Sequence, residues 1–108
     1  MVEDAVLVVF CTFPNPEKAR QIGTLVVERQ LAACVNLVPG IESIYEWDGK
    51  VCREEEVLGV FKTSEERFEA LREALVEAHP YEVPEVVALP VTAGSAPYLD
   101  WVRGQCGA

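Results

Sequence analysis

The sequence predicts an α+β fold: a ferredoxin-like βαββαβ sandwich with a long central hairpin and a short C-terminal helix. Three observations carry this. Apolar β-branched runs alternate with stretches of helical periodicity in the order β-α-β-β-α-β. Asp48-Gly49 sits between two long runs of strand-forming residues, a strong signal for a two-residue hairpin turn. A further helical stretch carrying Tyr98, Leu99, Trp101 and Val102 then closes the chain.

Taken in order, Val6-Leu7-Val8-Val9-Phe10 is a continuous apolar run, the pattern of a strand buried on both faces. Asn15-Pro16-Glu17 reads as an N-cap, a first helical residue and an early acid. Ala19, Ile22, Gly23, Val26 and Val27 give that helix its apolar face, and it is expected to run to about Gln30. A second strand begins at Leu31, bends at Pro39-Gly40 and resumes from Ile41 to Trp47. The return arm runs from Lys50 to Lys62. Thr63 with Glu66 offers a capping box for a helix whose apolar face is Phe68, Leu71, Leu75 and Ala78. His79-Pro80 ends that helix, because a proline disfavours helical backbone in the residue before it. Val86 to Val91 is the last main strand, and Ser95-Ala96-Pro97 opens the short helix.

The 108 residues make one domain, half hydrophobic and a quarter charged, which suits a soluble globular protein with a core. A domain of this size buries about two-thirds of its unfolded surface, so self-association would help it. The hairpin arms, about residues 33–47 and 50–62, are long beside a typical strand and reach past the domain edge. Their exposed edges, with Tyr45 and Trp47 near the tip, are expected to pack on neighbouring copies.

The formal charge of −9 argues against a nucleic-acid partner, which calls for a basic footprint, and favours cations. No apolar stretch is long enough for a membrane span. The run from Val6 follows Glu3 and Asp4 and does not read as a signal peptide, so a cytoplasmic location is expected. Cys11, Cys34, Cys52 and Cys106 form no CxxC pair and are expected to be free thiols.

The segment His79-Pro80-Tyr81-Glu82-Val83-Pro84-Glu85 concentrates polar chemistry. It holds the only histidine and stiffens it with two prolines. At a helix C-terminus the dipole favours a charged imidazole, which opposes metal binding. Glu82 and Glu85 could add oxygens and a strand cysteine could add sulfur; sulfur with imidazole suits copper or zinc. Glu54 and Glu56 share one strand face, where two like charges raise a carboxyl pKa or attract a cation. Ser64 and Ser95 read as helix starts, no GxSxG elbow exists, and no glycine-rich phosphate loop is present. No catalytic residue set emerges, and neither does an organic cofactor. The aromatic residues Tyr45, Trp47, Tyr81, Tyr98 and Trp101 suit subunit packing or a crevice between subunits.

Several motifs together resemble the CutA family of divalent-cation tolerance proteins. They are Leu31-Ala32-Ala33-Cys34-Val35-Asn36, Pro39-Gly40, Ser43 to Lys50, Glu56, Lys62-Thr63, His79 to Glu85, Leu89-Pro90-Val91 and Tyr98 to Trp101. The resemblance runs from about Val6 to Trp101. It implies a homotrimer whose hairpins wrap neighbouring subunits, a plan similar to the PII-type signalling trimers. It also implies a non-enzymatic role in tolerance of divalent metals, copper above all. Cys11 and His79 correspond to proposed copper ligands of that family, and Ala78 stands where the family has a second histidine. A weak copper or other divalent-cation site at Cys11, His79 and Glu82 follows as an expectation. The inter-subunit cleft would draw on Tyr45, Trp47, Glu56, Lys62, Tyr81 and Trp101. The alternative is a PII-like signalling or interaction module using those clefts.

Overall fold

The computed structural model describes residues 4–107; Glu3, read above as an acidic flank of the first strand, lies outside them. The elements are β1 (Val6–Phe13), α1 (Pro16–Glu28), β2 (Cys34–Trp47), β3 (Lys50–Ser64), α2 (Glu65–Ala78), β4 (Val87–Pro90) and α3 (Ala96–Gln105). The four strands form one sheet in the order β2-β3-β1-β4, and every pairing is antiparallel. The α+β ferredoxin-like expectation is thereby met.

Local chemistry fixes most element ends. Asn15 caps α1 through Oδ1, which accepts from the Lys18 N–H at 2.8 Å, and Pro16 takes the first helical position. α1 ends at Glu28 rather than Gln30. Gln30 instead adopts φ 59°, and the Leu31 N–H turns back to the Val26 carbonyl. β2 therefore begins at Cys34, three residues later than the sequence suggested. Asp48 and Gly49 both have positive φ, the signature of the expected tight hairpin turn.

The helix α2 is capped by Ser64, not Thr63. β3 stays paired with β1 through Val6–Ser64, so Thr63 is still strand and is fully buried. Its hydroxyl donates to the Leu31 carbonyl at 2.7 Å. Ser64 Oγ accepts from the Arg67 N–H at 3.3 Å, and Asp4 Oδ1 accepts from Glu66 N–H at 3.1 Å. The box read from Thr63 and Glu66 is replaced by these two contacts. β1 runs on to Phe13 and β3 to Ser64 because the two pair without interruption from Val6–Ser64 to Phe13–Val57.

Side chains alternate across the strands, so the sheet has two faces. α1 and α2 cover one of them. Leu7, Val9, Cys11 and Phe13 of β1 and Val57 and Phe61 of β3 pack there against Ile22, Val26, Leu71 and Leu75. Gly59 allows this packing, since a Cβ there would lie 2.9 Å from ring atoms of both Phe13 and Phe61. The opposite face carries Val8 and Phe10 of β1 and Leu58 and Val60 of β3, all only part-buried. Leu89 and Val87 pair beside Val8 and Phe10 and are about half exposed. β1 is thus buried on one face and half-buried on the other.

The hairpin leaves the sheet. β3 pairs with β1 only from Val57 onward, so its first seven residues, Lys50–Glu56, pair with β2 alone. The molecule is accordingly elongated, 49 × 25 × 22 Å. A bulge at Pro39-Gly40, where Gly40 has φ 72°, sets three steps on β2 against two on β3. The extra residue flips the alternation. Ile41, Ser43, Tyr45 and Trp47 therefore continue this opposite face, which α3 covers only at its other end around Val6, and stand across from Glu56, Glu54, Cys52 and Lys50.

Candidate functional site

α2 ends where His79 leaves helical backbone, at φ −74° and ψ 138°, ahead of Pro80. The chain turns there and lays the His79 ring against the end of β1. The imidazole stacks on Phe13, with centroids 5.2 Å apart and planes 16° from parallel, and Tyr81 packs on it at 4.6 Å. Only 7% of His79 is exposed. Nδ1 accepts the Tyr81 backbone N–H at 3.1 Å, so the proton sits on Nε2, which donates to the Thr12 carbonyl at 2.7 Å. Two backbone hydrogen bonds thus fix the orientation of the ring.

The same carbonyl is approached from the core side by Cys11, whose Sγ lies 3.9 Å from Thr12 O. The Cys11 thiol is pushed up to about 12, first by burial and then by the negative charges of Glu85 and Glu56. Cys11 and His79 thus direct their protons at one backbone oxygen.

Above this point opens a crevice of about 890 Å³ between the hairpin and the 79–85 loop. Tyr45, Trp47, Tyr81 and five glutamates, Glu46, Glu54, Glu56, Glu82 and Glu85, line it, with Thr12 at its floor. Two phenol–carboxylate pairs organise the walls. Tyr81 donates to Glu56 Oε2 at 2.6 Å, and Tyr45 donates to Glu54 Oε1 at 2.5 Å. Burial and then the bond to Glu56 raise the Tyr81 phenol, while the bond to Glu54 leads in pushing Tyr45 up to about 12. Glu54 and Glu56 share a face, as the strand alternation required, and each is paired with its own phenol.

Of the residues singled out from sequence, Cys11 and His79 meet at Thr12, and Glu82 lines the crevice over them. Among the described residues no three His, Cys, Asp or Glu side chains converge closely enough to hold one metal ion. Tyr45, Trp47, Glu56 and Tyr81 line one crevice within a single chain. Lys62 and Trp101 lie outside it. Lys62 reaches Asn36 on the sheet face opposite α1 and α2, and Trp101 packs on Tyr98 of α3 at 5.7 Å. Sequence reasoning missed the Thr12 carbonyl and the Phe13 ring. A backbone oxygen leaves no mark in a sequence; Phe13 could have been found by extending the apolar alternation of β1 beyond Cys11. Tyr98 forms a second sulfur contact, 3.6 Å from Cys34 Sγ, which raises its phenol.

A ferredoxin-like sheet with a projecting hairpin and an acidic, aromatic crevice at the hairpin base defines a class of small α+β domains. Comparison with known proteins gives the family. The family described as CutA1 divalent ion tolerance protein matches residues 7–105. The Thermus thermophilus divalent-cation tolerance protein CutA is 49% identical over 100 residues, covering 93% of this chain and 97% of that protein. The chloroplastic CutA of Arabidopsis thaliana is 48% identical over 97 residues, covering 90% of this chain. The match takes in only 53% of that plant protein's length, so this chain spans about half of it. Among solved structures, the Thermus thermophilus CutA1 superposes with a TM-score of 0.92 at 48% identity, covering 94% of this chain and 99% of that one. A PII-like protein CutA from Nostoc gives 0.87 at 40% identity, covering 93% and 96%. This chain belongs to the CutA1 divalent ion tolerance family.

Proposed function

We propose that this chain is a non-enzymatic subunit of a cytoplasmic homotrimer that binds copper, or another divalent cation, and contributes to metal tolerance. The observation that carries the reading is the convergence of Cys11 Sγ and His79 Nε2 on the Thr12 carbonyl, beneath a crevice that Glu82 lines. The two protons aimed at that oxygen are the ones a metal ion replaces. Thiolate sulfur and imidazole nitrogen together favour copper over hard ions, and Glu82 supplies an oxygen. Entry of the ion requires the 79–85 loop to open, because His79 Nε2 and Thr12 O are now in hydrogen-bond contact. With the Cys11 thiol at about 12, binding releases protons and tightens as pH rises.

The homotrimer is supported by the part of the opposite sheet face that α3 leaves bare. Val8, Phe10, Leu58 and Val60 form an apolar surface there that a soluble domain gains by burying. The crevice lies on the same side, which suits a cleft at a subunit boundary. Titration of Cu²⁺ into the protein tests the metal site. Saturation at one ion per subunit, with weakening in Cys11→Ala and His79→Ala, is expected. Uptake that never saturates and fades with added salt contradicts the site and leaves only the diffuse field of the −9 charge. Light scattering at micromolar concentration tests the trimer, and a monomeric mass contradicts it.

A second reading, a PII-like module that senses a small molecule, is favoured by the size of the crevice. A thermal-shift screen of metabolites separates the two, since a ligand specific to the folded state raises its melting temperature.

A further inference from the structure

Glu56 is the most unusual charge in the molecule. Only 7% of the residue is exposed. Buried carboxylates are ordinarily paired with a cation, because desolvation without a countercharge costs several kcal/mol. Among the described residues the ion pairs join Arg72 to Glu69 and Glu73, and Arg103 to Asp100. None touches Glu56. Its only hydrogen bond among them is the one from Tyr81 to Oε2. No side-chain oxygen sealed from solvent lacks a partner among the described residues. Oε1, which has none, therefore opens on the crevice that Glu56 lines. The site is thus a buried carboxylate with one oxygen committed and one presented, in an acidic pocket.

What kind of cation fits follows from size and spread. The crevice holds about 890 Å³, far more than a single metal ion occupies. The carboxylates around it do not converge in threes on any one point among the described residues. An ion with a single centre would satisfy them only one at a time. The rings of Tyr45, Trp47 and Tyr81 line the same crevice. Aromatic faces attract ammonium groups and pack against methylene chains. Tyr45 and Tyr81 hold Glu54 and Glu56 in place, each through one oxygen.

We propose that this crevice binds a linear aliphatic polyamine, with one ammonium on Oε1 of Glu56, another on Glu54, and its methylene chain across the aromatic wall. This site shares the crevice wall at Glu82 with the copper reading but uses neither Cys11 nor His79, which meet at the Thr12 carbonyl.

The test is isothermal titration calorimetry of the full chain with spermidine at physiological salt. Saturable binding of one spermidine per subunit is expected. Tetramethylammonium, which carries charge without N–H donors, and Mg²⁺ at matched ionic strength should not displace it. Glu54→Gln, an exposed change that leaves the buried pair intact, should weaken binding at least about tenfold, the worth of one charge-assisted hydrogen bond. Glu56→Gln should weaken it further. Glu77→Gln, the same charge change on the exposed surface of α2, should leave it unaltered. Equal weakening by Glu77→Gln, or displacement by Mg²⁺, overturns the proposal in favour of a diffuse field or a metal. Absence of saturable heat, with Glu56→Gln dissociating the oligomer, also overturns it and assigns the countercharge to a second copy of the chain.

Discussion

Replacing Tyr81 with phenylalanine removes one oxygen from the wall of the crevice and leaves the ring that packs on His79. That oxygen donates to Glu56 Oε2 at 2.6 Å, a neutral donor on a charged acceptor. Hydrogen bonds to charged groups contribute roughly 1.5–3 kcal/mol, against roughly 1 kcal/mol between neutral groups. With only 7% of Glu56 exposed, water has little room to replace the lost donor, so the cost should fall in the upper half of that range, about 2–3 kcal/mol. Urea unfolding at fixed protein concentration reads this as a lower midpoint with unchanged slope. Glu56→Gln keeps an acceptor but removes the charge, so the Tyr81→Phe change made in that background should cost only about half as much. The coupling in the double-mutant cycle should then be about 1 kcal/mol or more. A Tyr81→Phe protein within about 0.5 kcal/mol of the parent, or an additive cycle, refutes the claim that this pair holds the crevice wall.

Gly59→Ala should destabilise by about 1–3 kcal/mol, because its Cβ would meet the Phe13 and Phe61 rings at 2.9 Å inside a packed core; an unchanged urea midpoint would show that the core yields there. All three tyrosines should ionise late in the native protein, with Tyr45 near 12. Their folded values lie above the ordinary value of about 10, so this stabilisation is full below that pH and is lost as pH rises through the folded values. Phenolate absorbance against pH should therefore run to higher pH in the native protein than in guanidinium, and coincident curves would contradict the phenol–carboxylate pairs. Cys11→Ala and His79→Ala should each weaken Cu²⁺ binding in the titration described above.

How far the sequence carried the fold depended on whether the deciding chemistry was local. Asn15-Pro16 and Asp48-Gly49 specify their cap and turn within a few residues, and both formed as read. The choice between Thr63 and Ser64 as cap was open locally, since either hydroxyl can accept an N–H. It was settled by the pairing of Ser64 with Val6, almost sixty residues away in the chain. Likewise Gln30 left the helix because the chain had to turn back toward the sheet, a tertiary demand that helix periodicity does not encode. In the site, His79, Tyr81, Glu82 and Glu56 announce themselves by type. What joins His79 to Cys11 is a backbone carbonyl; what separates Lys62 from the crevice is its place further along the same face of β3, and what separates Trp101 is the position of α3. The Pro39-Gly40 bulge was legible as a bend. Its consequence, turning Tyr45 and Trp47 to the same face as Glu56, needed the register on both strands.

The proposed site places copper between Cys11 and His79 at the Thr12 carbonyl. X-ray absorption at the copper edge, on protein loaded with one copper per subunit, tests it most directly. This placement predicts one sulfur and one imidazole nitrogen in the ligand set, with the sulfur lost in Cys11→Ser. A ligand set without sulfur, or a sulfur signal that survives Cys11→Ser, contradicts it.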